Sequence, residues 1–173
     1  MLTQITKNLQ RIVFSKFGSC VYIFKHDKKL ILIDTGSRWN RSELLNDLSE
    51  LKILPEDIDI VILTHNHFDH TGNWIIFKNA KIYGSKNDFK NKKITDIQEL
   101  KLSDMELIET PGHSKGGICI YFTKPKILFS GDTLFEHGIY GRVDLPGSSP
   151  REMRKSLEKL TEINYKFLCP GHV

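Results

Sequence analysis

Apolar residues in this chain fall into short runs that are closed by glycine, proline or charged residues. Runs of this length that are rich in β-branched and aromatic residues are typical of buried β-strands. Ser103-Asp104 and Lys124-Pro125 each separate two such runs and predict hairpin turns. The pattern predicts strands over residues 11–14, 20–24, 30–33, 58–63, 81–83, 100–102, 105–108, 117–122, 126–129 and 166–169.

Three other stretches have the character of helices. Leucines recur at helical intervals over residues 41–51 and predict an amphipathic helix there. Ser149 is a suitable N-cap for a second helix over 149–163, because a proline and then a glutamate follow it. A short helix is predicted over 71–78. The order of these elements indicates an α/β (α+β) sandwich of two sheets with helices on the outside.

The composition is that of an ordinary globular protein. The chain has 173 residues, of which 39% are apolar and 27% are charged, and its formal net charge is +4. This length suits one domain over residues 1–173. No apolar run approaches the roughly 20 residues of a membrane span and no secretory signal is visible, so we expect no membrane partner. The modest charge disfavours nucleic acid as a partner, and the oligomeric state stays open.

The cysteines bear on the cellular setting. Cys20, Cys119 and Cys169 lie far apart in the sequence and form no CxxC motif. An odd number of cysteines without metal-binding spacing favours reduced thiols, and each is expected to be a small apolar core residue. Reduced thiols in turn favour a cytoplasmic location.

Potential metal ligands are concentrated after the run 58–63. His65, His67, Asp69 and His70 lie within six residues, although the whole chain contains only seven histidines. Imidazole nitrogens and carboxylate oxygens bind divalent ions such as Zn²⁺, Mn²⁺ or Fe²⁺. These residues leave the end of a strand, where open α/β sheets usually place their chemistry. The segment therefore predicts a metal site at a sheet edge.

Three further polar residues follow apolar runs in the same manner. Asp132 comes after Gly131 and the run 126–129, and His113 and His172 each follow a Pro-Gly pair. Glycine lets the backbone turn sharply and brings the next side chain close to a site. Seven ligands are too many for one tetrahedral ion, and they divide naturally between two.

This set of motifs resembles the metallo-β-lactamase fold hydrolases. The family pattern His-x-His-x-Asp-His is met at residues 65–70. The family's third segment is met by His113, its bridging aspartate by Asp132 and its last histidine by His172. The similarity extends from about residue 17 to the C-terminus, and it implies a four-layer αββα sandwich.

Two other segments indicate a subgroup. Residues 131–135 and 141–147 are most similar to the glyoxalase II-like (hydroxyacylglutathione hydrolase-like) thioesterases and their small stand-alone relatives. Glyoxalase II itself carries an additional C-terminal helical domain. Because the sequence stops at Val173, directly after His172, we expect that domain to be absent here.

The resemblance implies a division of the ligands between two ions. The first ion would be held by His65, His67 and His113, the second by Asp69, His70 and His172, and Asp132 would bridge them. Asp69 and Asp132 are also the expected catalytic carboxylates. Zn²⁺ is the favoured ion, with Fe²⁺ and Mn²⁺ as alternatives.

A centre with two such ions indicates an enzyme that hydrolyses a small thioester or ester. Metal ions about 3.5–4 Å apart can share a hydroxide, because each lowers the pKa of bound water. No G-x-S-x-G motif offers a competing nucleophile. Candidate substrate contacts are His137, Tyr140 and Arg142, in the loop after the bridging aspartate, and Lys115. Asp34 follows a strand, so it either stabilises a turn or hydrogen-bonds a ligand histidine and fixes its tautomer.

Other functions remain open at this point. The persulfide dioxygenases resemble this subgroup and hold one Fe²⁺ with two histidines and one aspartate. A lactonase on the same fold is a further alternative. A tRNA-processing nuclease is disfavoured because the basic surface is weak, and a metal-binding protein without activity is disfavoured because no ligand is missing.

Overall fold

The computed structural model describes residues 1–173. The chain forms three α-helices and eleven β-strands, joined by loops and short 3₁₀ turns. The helices are α1 (Arg41–Glu50), α2 (Phe68–Thr71) and α3 (Pro150–Thr161). The strands are β1 (Leu2–Thr6), β2 (Leu9–Ile12), β3 (Val21–His26), β4 (Lys29–Ile33), β5 (Ile60–Ile62), β6 (Lys81–Gly84), β7 (Thr95–Asp96), β8 (Met105–Glu109), β9 (Ile118–Phe122), β10 (Ile127–Gly131) and β11 (Phe167–Pro170).

The strands assemble into two sheets. Sheet A contains β1 to β7 in chain order, antiparallel from β1 to β4 and parallel from β4 to β7. Sheet B has the order β11-β10-β9-β8, in which β8, β9 and β10 are antiparallel and β11 is parallel to β10. Strands β4 and β5 therefore end at one edge of sheet A, and β8, β10 and β11 end at one edge of sheet B.

Three apolar clusters hold the layers together. A cluster of 17 buried residues, Phe24 and Phe129 among them, draws its side chains from both sheets. Leu44 and Leu48 of α1 pack against sheet A in a second cluster. Leu160 of α3 packs against sheet B in a third. Burial of these side chains is the main driving force for the arrangement, and the predicted four-layer αββα sandwich is confirmed.

Both long predicted helices form, but only α3 has a side-chain N-cap. Ser149 caps α3, because its hydroxyl oxygen accepts a hydrogen bond from the backbone N–H of Glu152 at 3.3 Å. Asn40 precedes α1, but its side-chain oxygen accepts from the Ser37 hydroxyl at 2.6 Å instead of capping the helix. No side chain caps α1, and the helix is held in place by the packing of its leucines on sheet A.

Two of the weaker predicted elements were wrong, and two strands, β1 and β7, had no prediction. Residues 100–102 form no strand, because Leu100 is a buried anchor between the sheets that follows a 3₁₀ turn. The helix expected over 71–78 ends at Thr71, where the Asn73 amide donates to the Thr35 and Ser37 carbonyls and fixes a turn. At the N-terminus, β1 forms by antiparallel pairing with β2.

The loops at the strand ends tie the two sheets to each other. Ile118 donates its backbone N–H to the carbonyl of Thr64 at 3.1 Å, and Cys20 donates to the carbonyl of Gly171 at 2.7 Å. The first contact places the loop after β5 beside the loop after β8, and the second places the residue before β3 beside the loop after β11. Gly171 also donates its backbone N–H to the carbonyl of Gly131 at the end of β10, at 2.8 Å. The three cysteines are unpaired and buried, as predicted. No helix of the structure has the length and apolarity needed to cross a bilayer.

Candidate metal centre

Three histidines converge where the two sheets meet. His65 and His67 lie on the loop after β5, and His113 follows β8. His65 Nε2 lies 3.0 Å from His67 Nδ1, and His113 Nε2 lies 2.8 Å from the same atom. We call His65, His67 and His113 the three-histidine set. Three imidazole nitrogens at this separation can act together as ligands of one ion.

Two of the three histidines, His65 and His113, have fixed partners for their outward-facing nitrogens. His113 Nδ1 lies 2.7 Å from the backbone carbonyl of Arg142, which can only accept, so this nitrogen carries the proton. His65 Nδ1 lies 3.1 Å from the Thr64 hydroxyl oxygen. These contacts leave the Nε2 lone pairs directed into the cluster, which is the orientation that a metal ligand needs.

A second group of ligands lies beside the first. Asp69 and His70 belong to α2, and His172 follows β11. His172 Nε2 is 3.3 Å from Asp69 Oδ2, and His70 Nε2 is 3.9 Å from the same oxygen. We call Asp69, His70 and His172 the carboxylate set. Sequence motifs separated by about a hundred residues therefore meet in one group.

Asp132 lies between the two sets. Its Oδ2 atom is 3.4 Å from His113 Nε2 and 3.5 Å from His172 Nε2. Its Oδ1 atom is 3.2 Å from His70 Nε2. One carboxylate thus contacts a histidine of the three-histidine set and two histidines of the carboxylate set, which is the position that a bridging ligand requires.

Asp34 supports both sets from beneath. It follows β4 with a left-handed backbone (φ 58°) and is buried. Its carboxylate accepts from the Thr64 N–H and the Thr64 hydroxyl, both at 2.8 Å, and lies 2.7 Å from His70 Nδ1. Because the Thr64 hydroxyl donates to Asp34, its lone pair can accept from His65 Nδ1. A single carboxylate thereby fixes the tautomers of His65 and His70, while also stabilising the turn.

Six buried side-chain atoms of the protein have no hydrogen-bond partner, and two of them lie in this centre. They are His70 Nε2 and Asp132 Oδ1, which face each other at 3.2 Å. Buried polar atoms are rarely left without a partner, because desolvation is then uncompensated. A cation between these atoms would satisfy both. Together with the convergent nitrogens, they show that the donor set fits a first-row divalent ion.

The protonation states fit cation binding as well. Burial lowers the pKa of His65 well below its usual value, and it also lowers the pKa of His67, so both rings are neutral. Burial would raise the pKa of Asp132, but the His70 charge outweighs it and holds this pKa well below its usual value. Burial would lower the pKa of His172, but hydrogen bonds to Asp132 and Asp69 raise it to about 9. Protons on the histidines therefore balance the negative charge of the carboxylates, and a bound cation can replace those protons.

Gly171 is required by the close packing of the centre. A Cβ atom at this position would lie 2.2 Å from Asp132 Oδ1 and 2.7 Å from His70 Cε1. Any larger residue would displace the bridging carboxylate. The predicted role of the Pro-Gly pair before His172 thus has a steric basis.

Asp88 joins the two loops that carry the three-histidine set, and no sequence motif identifies it. Its carboxylate accepts from the Asn66 N–H at 3.0 Å and from the Gly116 N–H at 2.6 Å. The Asn66 amide donates back to the Asp88 carbonyl at 3.2 Å. Because Asp88 lies in a polar stretch far from either loop, only the folded contacts identify it.

A cavity of about 410 Å³ opens onto the centre, and we call it the main cavity. Tyr140 and Arg142, two of the candidate substrate contacts, line it. His137 and Lys115 are exposed and do not line it. The Arg142 guanidinium donates to the Asp144 carboxylate at 3.0 and 2.8 Å, and both side chains are exposed.

Three phenylalanines form an apolar wall that the sequence analysis did not foresee. Phe17, Phe68 and Phe135 line the main cavity. The Phe17 ring stacks on His172 with centroids 5.6 Å apart and planes 17° apart, and Phe135 meets the same imidazole edge-on at 6.0 Å. The cavity therefore pairs a polar floor with an apolar side.

Comparison with known proteins agrees with this geometry. The family model of the metallo-β-lactamase superfamily matches residues 15–88 and 83–172, which together contain all seven candidate ligands. A probable metallo-hydrolase of Methanocaldococcus jannaschii is 34% identical over 177 residues, covering 84% of this chain and 83% of that protein. A hydroxyacylglutathione hydrolase of Pectobacterium atrosepticum is 34% identical over 154 residues, covering 83% of this chain and 57% of that protein.

The relatives differ in length from this chain, and one solved structure has the same fold as this chain. The matched part of this chain spans 46% of one of the first curated relatives and 83% of another. The crystal structure of TTHA1623 in a di-iron-bound form superposes with a TM-score of 0.79, at 24% identity, and covers 94% of this chain and 91% of its own.

Proposed function

This chain belongs to the metallo-β-lactamase superfamily, and we propose that it is a metal-dependent hydrolase that cleaves a small thioester or ester. The observation that carries the proposal is the convergence of five imidazoles and two carboxylates from separate strand ends. Two atoms of this group, His70 Nε2 and Asp132 Oδ1, are buried without a partner. A purely structural role for these residues would leave that desolvation uncompensated.

The seven residues would hold two divalent ions. The three-histidine set would bind one, the carboxylate set would bind the other, and Asp132 would contact both. When bound, such ions supply Lewis acidity and lower the pKa of water. Zn²⁺ is the ion we favour, because neutral imidazole and carboxylate suit it and because it needs no redox partner.

The protein's own groups prepare the centre for this chemistry. Asp34 and Thr64 hold His65 and His70 in the tautomers that present Nε2, and the Arg142 carbonyl does the same for His113. Burial would raise the pKa of Asp69, but its hydrogen bond with His172 keeps it below the usual value, so this carboxylate stays ionised. Such preorganisation avoids reorienting dipoles during the reaction.

The thioester class follows from the relatives and the cavity. A relative at 34% identity is named hydroxyacylglutathione hydrolase, and hydroxyacylglutathione is a thioester. The apolar wall of the main cavity can cover an acyl or thiol chain while the polar floor meets the carbonyl. A thiolate leaves more readily than an alkoxide, so a thioester makes the smallest demand on leaving-group protonation.

Hydrolysis by metal-loaded protein is the direct test. Protein stripped with a chelator and reloaded with Zn²⁺ is assayed with lactoylglutathione and with an activated ester. We expect turnover of at least one substrate, loss on stripping and recovery on reloading. His113→Ala should be inactive, whereas the matched control His137→Ala, at an exposed histidine outside the cavity, should retain activity. Absence of hydrolysis of every thioester, lactone and activated ester by the loaded protein would refute the proposal.

One observation favours a second candidate, a mononuclear iron dioxygenase acting on a persulfide. His65, His70 and Asp132 place one ligand atom each within 4.8 Å of one another. Two histidines and one carboxylate are the ligand set of many non-haem iron oxygenases. Oxygen uptake by Fe²⁺-loaded protein with glutathione persulfide tests this function. Uptake without thioester hydrolysis would favour the dioxygenase, and hydrolysis without uptake would exclude it.

A further inference from the structure

A second depression lies next to the main cavity. It has a volume of about 330 Å³, and we call it the outer groove. Its floor and walls are mainly aromatic and aliphatic, and its only charged side chain is that of Arg38. The outer groove is lined by Arg38, Trp39, Phe68, Thr71, Gly72, Trp74 and Ile75.

The apolar side chains of this region are exposed to an unusual degree. Trp39 is 65% exposed, Phe17 and Phe68 are each 60% exposed, and Ile75 is 51% exposed. They form a connected ridge, because Trp39 meets Phe68 at 5.7 Å and Phe68 meets Phe17 at 6.1 Å between ring centroids. Contiguous exposed apolar surface of this kind marks a binding surface more often than isolated apolar residues do.

The outer groove is continuous with the candidate metal centre. Phe68 lines both the outer groove and the main cavity, and it lies between the ligands His67 and Asp69 in the sequence. A large partner covering the ridge would also close the mouth of the main cavity, which Phe17 and Phe68 border. The occupant that fits both cavities at once is therefore part of the substrate.

We propose that the outer groove binds an extended apolar acyl group of the substrate, with the scissile carbonyl in the main cavity. This inference rests on the proposed hydrolase function and narrows it to thioesters or esters of medium-length apolar acids. An acyl chain of one or two carbons would end within the main cavity. A chain of about eight carbons would continue past Phe68 and contact Trp39 and Ile75.

The two tryptophans of the chain provide a binding test that does not need activity. Trp39 and Trp74 both line the outer groove, and the chain has no other tryptophan. We expect octanoate, below its micelle concentration, to shift the emission of exposed Trp39 to shorter wavelength in a saturable manner. Acetate should cause no shift, and Trp39→Phe should abolish most of the octanoate response. A response that does not saturate, or none at all, would overturn the assignment of the groove.

The hydrolysis test compares acyl chain lengths on one thiol. For acetyl, butyryl and octanoyl thioesters, we expect kcat/KM of the wild-type protein to rise with chain length. Trp39→Ala should lower the octanoyl-to-acetyl ratio of kcat/KM about tenfold by removing apolar contact with the longer chain. Leu54→Ala, at an exposed leucine outside both cavities, is the matched control and should keep the wild-type ratio.

The two tests separate the two proposals. If no thioester or ester is hydrolysed but octanoate still gives the saturable shift, the hydrolase proposal fails and apolar binding in the groove stands. If acetyl thioester is hydrolysed and the Trp39→Ala variant keeps the wild-type chain-length ratio, the groove proposal fails and the hydrolase proposal stands.

Discussion

The three-histidine set and the carboxylate set lie side by side, but the protein supports them differently. In the three-histidine set, His65 and His113 are buried and their outward nitrogens meet Thr64 and the Arg142 carbonyl. In the carboxylate set, His172 keeps 28% of its side chain exposed. Beyond the contacts of its Nε2 atom with Asp69 and Asp132, its ring is held by stacking on Phe17, a residue that is itself exposed.

This difference indicates that the three-histidine set is more rigid than the His172 side of the carboxylate set. Hydrogen bonds to backbone and buried hydroxyl groups fix a ring in direction, whereas stacking on an exposed ring leaves it freer to rotate. The three-histidine set should therefore bind its ion more tightly, and the carboxylate set should fill second. Variants in and around the two sets test this difference in affinity.

The largest effect should come from removing one histidine of each set. His113→Ala should abolish tight metal binding and lower activity roughly 100-fold or more, because loss of a ligand exceeds the 10- to 100-fold effect of losing its outer support. His172→Ala should also lower activity but keep one tightly bound ion. Metal analysis of both variants after dialysis is the measurement. Retention of two tight ions by either variant would contradict the ligand assignment.

The next effect tests the residue that the two sets share. Asp34→Ala should weaken metal binding in both sets by roughly 10- to 100-fold, because His65 and His70 lose the contacts that fix their tautomers. Affinities are read from competition with a chromophoric chelator. Asp34→Asn keeps one acceptor oxygen and should lose less. A change confined to one set would show that Asp34 does not support both.

A smaller and more selective effect is expected at Asp88. Asp88→Ala should weaken the three-histidine set roughly tenfold and leave the carboxylate set unchanged, because Asp88 holds the Asn66 and Gly116 loops together. Asp96→Ala is the matched control, since Asp96 also accepts from a backbone N–H but in a turn that carries none of the ligands. Equal weakening of both sets would argue for a general loss of stability instead.

The smallest effect concerns the reactivity of two buried thiols, Cys20 and Cys169, on segments that adjoin the carboxylate set. Burial raises the pKa of the Cys20 thiol from 9.0 to about 11 and raises that of Cys169 still further. At pH 8 the native thiolate fraction of Cys20 should be roughly 100-fold below that of the unfolded chain, so alkylation should be slow. The free energy of unfolding should fall between pH 9 and 11, because the unfolded chain releases these protons first. Fast labelling at pH 8 would show that flexibility extends beyond the His172 ring.

Much of this architecture was predictable from the chain, for identifiable reasons. His65, His67, Asp69 and His70 lie within one short motif, and His113 and His172 carry the same Pro-Gly approach. Strand β5 is apolar throughout, and β10 is apolar over its first three residues, because both faces of these strands are buried. For these motifs and strands, the prediction and the fold agree.

Apart from the Asp34 contact with His70, the supporting contacts were not predictable, because they join distant backbone atoms. The Asp88 carboxylate accepts from Gly116, and Arg142 contributes its carbonyl to His113, not its charge. Every residue has a backbone carbonyl, so the sequence does not show which carbonyl will contact a ligand histidine. Leu100 likewise shows apolar character as a strand would, although it anchors a loop. Phe17 lies between the predicted strands, so its position above His172 depends on tertiary packing alone.

The most direct test of the central claim is the number of ions that this centre binds. Chelator-stripped protein is titrated with Zn²⁺ against a competing chromophoric chelator, and bound metal per chain is measured after desalting. The account predicts two ions per chain, taken up in two steps of distinct affinity, with the weaker step lost in His172→Ala and the stronger step retained. A protein that binds no ion, or a His172→Ala variant that still takes up both, would contradict it.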